Sequence, residues 1–371
     1  MALTEGSVEP VRPSLPEVLG TKTLITLSVA VVASLLSGLL TALHASSVLT
    51  FLASAVALAA LASLVGDGTD QLGERLGPGA TGVLQSGLGN LPELFIGIFA
   101  LRAGLVGVVQ AALVGSILGN SLLVLGLAFT VGGLRHGTQR FAVQTPQLIA
   151  AMTMLSVAAV SVPTFTSLLH TPAAPHEDTL STAVAIVLLM IFVASVTFIL
   201  RGGPMAVDHA NYEEDTHDLW PVWIAVVVLT GAGVGAAFVS NWFVAALEPA
   251  TSALHISQQF TGLVIVALAG NAVENVVGIQ FAAGNQMDLA ISVILNSSLQ
   301  VALALVPVLV LLSHVIGGAH MTLVLPPMLV VALALTALLE TIIVYDGEST
   351  WVEGAALVGL YAILAASFWW G

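Results

Sequence analysis

The 371-residue chain has no cysteine, which excludes disulfides, thiolate metal sites and a cysteine nucleophile. It is nearly as poor in charge. Only 8% of its residues are Asp, Glu, Lys or Arg, against about 25% in a soluble globular protein. Seven are basic, and the formal net charge is −14. Such a surface cannot neutralise phosphates, so nucleic acid is excluded as a partner. The nine histidines contain no HExxH spacing. Most sit at span ends or in loops (His136, His170, His176, His209, His217), which favours interfacial positions over ligation.

What the chain has in excess is apolar surface: 57% of residues are hydrophobic and mean hydropathy is +1.04. A water-soluble fold is ruled out, and the chain reads as an all-α polytopic membrane protein without a sizeable soluble domain. Apolar runs predict spans at about 23–44, 48–66 (with a polar continuation to about 76), 79–102, 106–133, 145–169 and 179–200. Five more follow at about 219–254, 258–283, 286–313, 321–345 and 351–370, for a total of about eleven transmembrane helices. The residues before the first span read as a retained polar tail, not a cleaved signal. Lys and Arg collect on the cytoplasmic side of membranes. A cytoplasmic N-terminus puts Arg12, Lys22, Arg75, Arg135, Arg140 and Arg201 inside and only Arg102 outside.

A repeat appears at a fixed offset of 181 residues, where Gly89-Asn90-Leu91-Pro92-Glu93 returns as Gly270-Asn271-Ala272-Val273-Glu274. The same offset pairs Gly97 with Gly278, Ile98 with Ile279, Ser116 with Ser297 and Leu122 with Leu303. The predicted organisation is a tail and extra helix over 1–45, a five-helix repeat over 46–201, an acidic cytoplasmic linker over 202–218 and a second five-helix repeat over 219–371. An odd number of crossings inverts the second repeat relative to the first, the architecture of secondary transporters with a site at the midplane.

An ionised carboxylate inside an apolar span costs several kcal/mol unless it is paired or coordinated, which makes Glu93 and Glu274 candidates for function. Asn90 and Asn271 lie three residues earlier, on the same helical face, and the glycine before each permits a local break. Ser116 with Asn120 and Ser121, and Ser297 with Asn296, Ser298 and Gln300, add a second pair of polar patches. These are hard oxygen donors without sulfur or imidazole, a set that suits Ca²⁺ better than zinc or copper. Two facing carboxylates in a low dielectric cannot both stay ionised once the metal leaves, so H⁺ and cation compete for the same oxygens. With alternating access, that competition yields antiport.

GNLPELFIGIFALRAG (89–104) and GSILGNSLLVLG (115–126), paired with GNAVENVVGIQFAAGNQMDLA (270–290) and NSSLQVALALVP (296–307), resemble the two alpha repeats of the calcium/cation exchanger superfamily. Within it the chain is most similar to the cation/proton exchangers. The resemblance implies one extra N-terminal helix before five plus five inverted helices, and Ca²⁺ exchanged for H⁺ at two motif glutamates, here Glu93 and Glu274. It covers nearly the whole chain after the first helix. Ile117 and Ser298 stand where the sodium-coupled branch resembles GS[ND]IFN, while Gly115-Ser116-Ile117-Leu118 and Gln300 follow the proton-coupled pattern. Leu91-Pro92 is similar to the sodium branch instead, and Asn296 replaces the glycine usual before Ser297.

The expected protein is thus a Ca²⁺/H⁺ antiporter, not an enzyme. Its predicted site is Glu93, Glu274, Asn90, Asn271, Ser116, Ser297 and Gln300, with Ca²⁺ as transported ion and no resident cofactor. A Na⁺-coupled Ca²⁺ exchanger or a Na⁺/H⁺ exchanger using the same carboxylates is the nearest alternative, and a cation channel a more distant one. An intramembrane hydrolase lacks a nucleophile and base: Gly66-Asp67-Gly68-Thr69-Asp70 has no partner acid motif in a second apolar span and reads as a helix-end turn. The segment 208–218 reads as a solvated linker. Cysteine-free, alanine-rich spans with short loops point to a prokaryotic plasma membrane.

Overall fold

A segment held in lipid must satisfy its own backbone hydrogen bonds, so long apolar runs become helices. The computed structural model describes residues 15–76, 88–200 and 219–370, and these are overwhelmingly helical. The acidic stretch 202–218, with Arg201, and the tail containing Arg12 lie outside the described residues.

In chain order the helices are α1 (Leu15–Ala42), α2 (Ser47–Leu76), α3 (Leu91–Arg102), α4 (Val106–His136), α5 (Gln144–Leu168) and α6 (Glu177–Leu200). After residue 218 come α7 (Val222–Leu254), α8 (Gln258–Gly270), α9 (Ala272–Ala283), α10 (Met287–Ser313), α11 (Pro327–Ile343) and α12 (Trp351–Ser367). Helix α1 begins before the apolar run, and its two pieces meet at Gly20, where φ is 72°. The stretch Gly66–Asp70, expected as a helix-end turn, lies inside α2 instead. Gly68 there packs against Leu229 of α7, so the small residues serve helix packing.

Seven of these helices are long and apolar enough to cross a membrane, and α8 with α9, bent by 64° at their junction, makes up to eight. Helices α11 and α12 are apolar but have 17 residues each. Among the described residues, length and apolarity alone thus establish seven or eight of the eleven expected crossings, and the start of the expected 79–102 span lies outside those residues. The outer faces carry exposed Val32, Leu35, Val193, Phe238 and Ile342, an apolar belt that belongs in lipid. The chain is a multi-pass membrane protein.

Helix α7 lies along α2, where Phe51 and Phe243 stack with ring centroids 4.7 Å apart. Inside this layer α4 crosses α8 at very close range: a Cβ on Gly115 would strike the Leu263 backbone, and one on Gly262 would lie 2.6 Å from the Val108 carbonyl oxygen. Only small residues allow such a crossing. At one end of the bundle, strands β1 (Gln139–Arg140) and β2 (Glu348–Ser349) pair antiparallel, clipping the α4–α5 and α11–α12 connections together. At the other, the 314–326 loop is stitched down by Ala319 N–H to Leu101 O (3.0 Å) and Leu323 N–H to Ser181 Oγ (2.9 Å).

The helix boundaries echo the 181-residue offset. Helix α3 starts and ends 181 residues before α9, and Val106, the first residue of α4, maps onto Met287, the first of α10. Each of those longer helices contains a π-turn at matching positions, Gly119–Val124 in α4 and Val301–Leu305 in α10. Helix α8 has a third, Thr261–Val266. An i→i+5 turn interrupts the regular ladder and is frequent at functional sites.

Candidate functional site

The two Gly-Asn motifs both break the helix. Asn90 (φ −92°, ψ 17°) and Asn271 (φ −94°, ψ 23°) adopt nearly the same conformation just before α3 and α9. Neither side chain caps its own helix, which frees both amides to reach elsewhere. Pro92 fits the second position of α3 because the backbone N–H it lacks has no intrahelical acceptor there. Glu93 follows in the first turn, at the positive end of the helix macrodipole. Glu274 occupies the equivalent third position of α9; its side chain lies outside the described residues.

Glu93 is buried and rests against the broken end of α8. A Cβ on Gly270 would stand 2.6 Å from Glu93 Cγ and Cδ, so this glycine is the space the carboxyl occupies. A narrow cleft lined by Glu93, Ser116, Gly97, Val108 and Leu309 reaches the same group. Its lining places it toward the end of the bundle that carries Arg102.

The other predicted oxygens meet between the two copies of the motif. Asn271 Nδ2 donates to Ser116 Oγ at 2.9 Å and to the Ala267 carbonyl at 3.1 Å. Asn120 Nδ2 donates to Ser297 Oγ at 2.9 Å, and Ser297 Oγ lies 3.5 Å from Asn271 Oδ1. Asn90 Nδ2 reaches Gln300 Oε1 at 3.3 Å. Ser116, Asn120, Asn271 and Ser297 are all buried, so their bonds lie in the protein interior. The Asn271–Ser116, Asn120–Ser297 and Asn90–Gln300 bonds each join a residue of the first motif set to one of the second. The π-turns begin just after these serines.

One residue escaped the sequence reading. Glu340 of α11 is buried, and its Oε2 accepts a 2.7 Å hydrogen bond from Ser121, whose hydroxyl is also 3.0 Å from Ser298 Oγ. Its only sequence signal is an acid in an apolar run, weakened because it falls near the run's end. The structure brings it to the middle of α4.

As a set these groups can present hard oxygens and a buried carboxylate to a cation.

Comparison with known proteins matches this architecture. The sequence profile described as sodium/calcium exchanger protein matches residues 46–201 and again 224–370. The Ca²⁺/H⁺ antiporter of Synechocystis sp. is 35% identical over 340 residues, covering 86% of this chain and 90% of that one. The Ca²⁺/H⁺ antiporter ChaA of Bacillus subtilis is 35% identical over 330 residues, covering 88% and 93%. Among solved structures, native YfkE superposes with a TM-score of 0.80 at 32% identity, covering 93% of this chain and 99% of that one. The H⁺/Ca²⁺ exchanger CAX shares the fold at a TM-score of 0.71 and 17% identity, with coverage of 94% and 92%. With two profile matches that together span most of its length, the chain belongs to the sodium/calcium exchanger protein family.

Proposed function

We propose that this protein is a secondary active antiporter that exchanges Ca²⁺ for H⁺ by alternating access, with Glu93 and Glu274 as the carboxylates for which metal and protons compete. The observation that carries the reading is the pair of helix breaks at Gly89-Asn90 and Gly270-Asn271, whose asparagines share one backbone conformation and each bond a residue of the other motif set. Relatives at 35% identity named Ca²⁺/H⁺ antiporter support the choice of ions. Transport needs no resident cofactor and no enzymatic step.

In this reading eleven helices cross the membrane: α1, then units of five over 46–201 and 219–371 in inverted orientation. The N-terminus is cytoplasmic, in a prokaryotic plasma membrane. End-to-end pairings agree with that alternation. Arg75, at the end of α2, donates to the Trp220 carbonyl (2.6 Å) just before α7, Arg140 pairs with Glu348 (3.1 Å), and Gly318 packs on Arg102. Only the last pair belongs to the outer face.

Loaded with Ca²⁺, or with protons, the site is compensated and the units can reorient. The bare dianion in lipid is too costly, and this cost couples the two fluxes. The test is transport in proteoliposomes with an imposed pH gradient and no Na⁺, following Ca²⁺ uptake and lumenal pH together. Matched Ca²⁺ entry and proton release supports the proposal. Uptake only when a Na⁺ gradient replaces the proton gradient would assign sodium coupling, and Ca²⁺ conduction without any counter-flux would assign a channel.

A further inference from the structure

The sequence HVIGGAH (314–320) reverses direction on Gly317 and Gly318, both with positive φ (69° and 113°). Side chains fit poorly there, and a Cβ on Gly318 would also lie 2.7 Å from the Leu101 carbonyl oxygen. The reversal returns His320 to His314, with ring centroids 5.0 Å apart. Asp178, in the first turn of α6, joins them: its Oδ2 lies 3.9 Å from His320 Nδ1. One ligand atom from each of the three residues falls within 4.8 Å of the others. All three are exposed, and they are remote from the buried Ser116–Asn271–Ser297 network.

We propose that Asp178, His314 and His320 form a surface site for a divalent transition metal of the zinc class. Ligands of a tetrahedral Zn²⁺ stand about 3.4 Å apart when the metal–ligand bonds are about 2.1 Å, so these ligand atoms must approach by at most about 1.4 Å to close on a metal. His314 is already oriented, since its Nδ1 lies 3.0 Å from the Val310 carbonyl oxygen. A donor at Nδ1 leaves Nε2 as the free lone pair, the arrangement that orients metal-binding imidazoles generally. The loop is fixed by its bonds to Leu101 and Ser181 and by Met321 N–H to Ser313 Oγ (3.0 Å). Two imidazoles and one carboxylate, with water completing the sphere, form an open His₂Asp set. They make a poor Ca²⁺ site, because Ca²⁺ takes six to eight oxygens. The surface site therefore selects against the ion proposed as cargo. It bridges α6 to the α10–α11 loop, tying the end of the first family match to the middle of the second.

The experiment uses the full chain in detergent, stripped with chelator and titrated with Co²⁺ as a visible probe of coordination. The expected result is one four-coordinate Co²⁺ per chain, displaced by Zn²⁺ but not by excess Ca²⁺. Affinity should fall about 100-fold or more in His314→Ala/His320→Ala, since loss of an outer-shell partner alone costs roughly 10–100-fold. His320→Ala and Asp178→Asn, each at an exposed position, should weaken it singly with the melting temperature unchanged, and Glu93→Gln should not affect it. Co²⁺ binding that survives in the double variant, that follows His170 or His176, or that Ca²⁺ displaces would overturn the assignment, as would no binding at all. Because the readout is binding, it is independent of whether the protein exchanges Ca²⁺ for H⁺.

Discussion

Gly270→Ala offers a direct test of how closely Glu93 is positioned. The added Cβ would stand 2.6 Å from Glu93 Cγ and Cδ and 2.7 Å from Oε1, whereas carbon atoms in contact settle at about 3.5 Å or more. The carboxyl must therefore retreat by about 0.9 Å. Its side chain is flexible, so the stability loss should sit near the low end of the roughly 1–3 kcal/mol range for overpacking. The functional loss is larger, because Ca²⁺–oxygen bonds span only roughly 2.3–2.6 Å, and a ligand moved by most of an ångström leaves the coordination sphere or drags the ion with it. Half-maximal Ca²⁺ concentration for proton-driven uptake in proteoliposomes should rise about tenfold or more, equivalent to about 1.4 kcal/mol. Gly107→Ala is the matched control: its Cβ meets nothing within 4 Å, so uptake should be unchanged. In a Glu93→Gln background the same-shaped side chain keeps the clash, and thermal unfolding should show the same stability loss with uptake already abolished. Wild-type Ca²⁺ dependence in Gly270→Ala would refute the placement of Glu93 in the ion path.

Glu274→Gln should abolish Ca²⁺/H⁺ exchange while leaving thermal unfolding nearly unchanged; retained proton-driven uptake would remove Glu274 from the mechanism. Ser121→Ala strips the donor from buried Glu340 Oε2 and should cost about 1–3 kcal/mol, read as a lower midpoint in detergent unfolding. Gly115→Ala drives a methyl into the Leu263 backbone, which cannot swing aside as a side chain can. It should reach or exceed the top of the roughly 1–3 kcal/mol overpacking range, while Gly119→Ala, with nothing within 4 Å, should fold normally by the same assay. Arg140→Gln removes an ion pair whose side chains are 84% and 43% exposed, and should shift stability by less than about 1 kcal/mol.

Much of this architecture is legible in the chain because lipid leaves few alternatives: an apolar run becomes a helix, and its ends follow the polar residues. The repeated Gly-Asn motifs are informative for the same reason, since glycine before an amide in an apolar run marks a break, and both breaks occur where the motif puts them. Pairings across the motifs are less accessible. That Ser116 meets Asn271, and Ser297 meets Asn120, depends on how α4, α8 and α10 cross, and hydrophobic periodicity says little about crossings when nearly every position is apolar. The π-turns leave no compositional trace, because an i→i+5 ladder uses the same residues as an i→i+4 one. Glu340 looks like a span-end acid until α11 is laid against Ser121. The histidines read as interfacial, yet His314 and His320 share a face with Asp178 only because two glycines fold a seven-residue loop back on itself.

The cross-motif bonds also bear on how ion occupancy can govern the proposed motion. Four side-chain pairs link the two sets: Asn271 with Ser116, Asn120 with Ser297, Asn90 with Gln300, and Ser121 with Ser298. Polar bonds between membrane helices average about 0.6 kcal/mol each, so exchanging all four costs about 2–3 kcal/mol. That is modest. Leaving two carboxylates ionised and uncompensated at the midplane costs about 2.5–3.5 kcal/mol apiece, roughly twice as much in total. In the proposed antiporter the polar network therefore holds the units in register without locking them, and Ca²⁺ or protons remove the greater of the two costs. A carrier built this way needs no rigid latch at its centre: an empty site opposes reorientation through charge, and a filled one has only weak bonds to exchange.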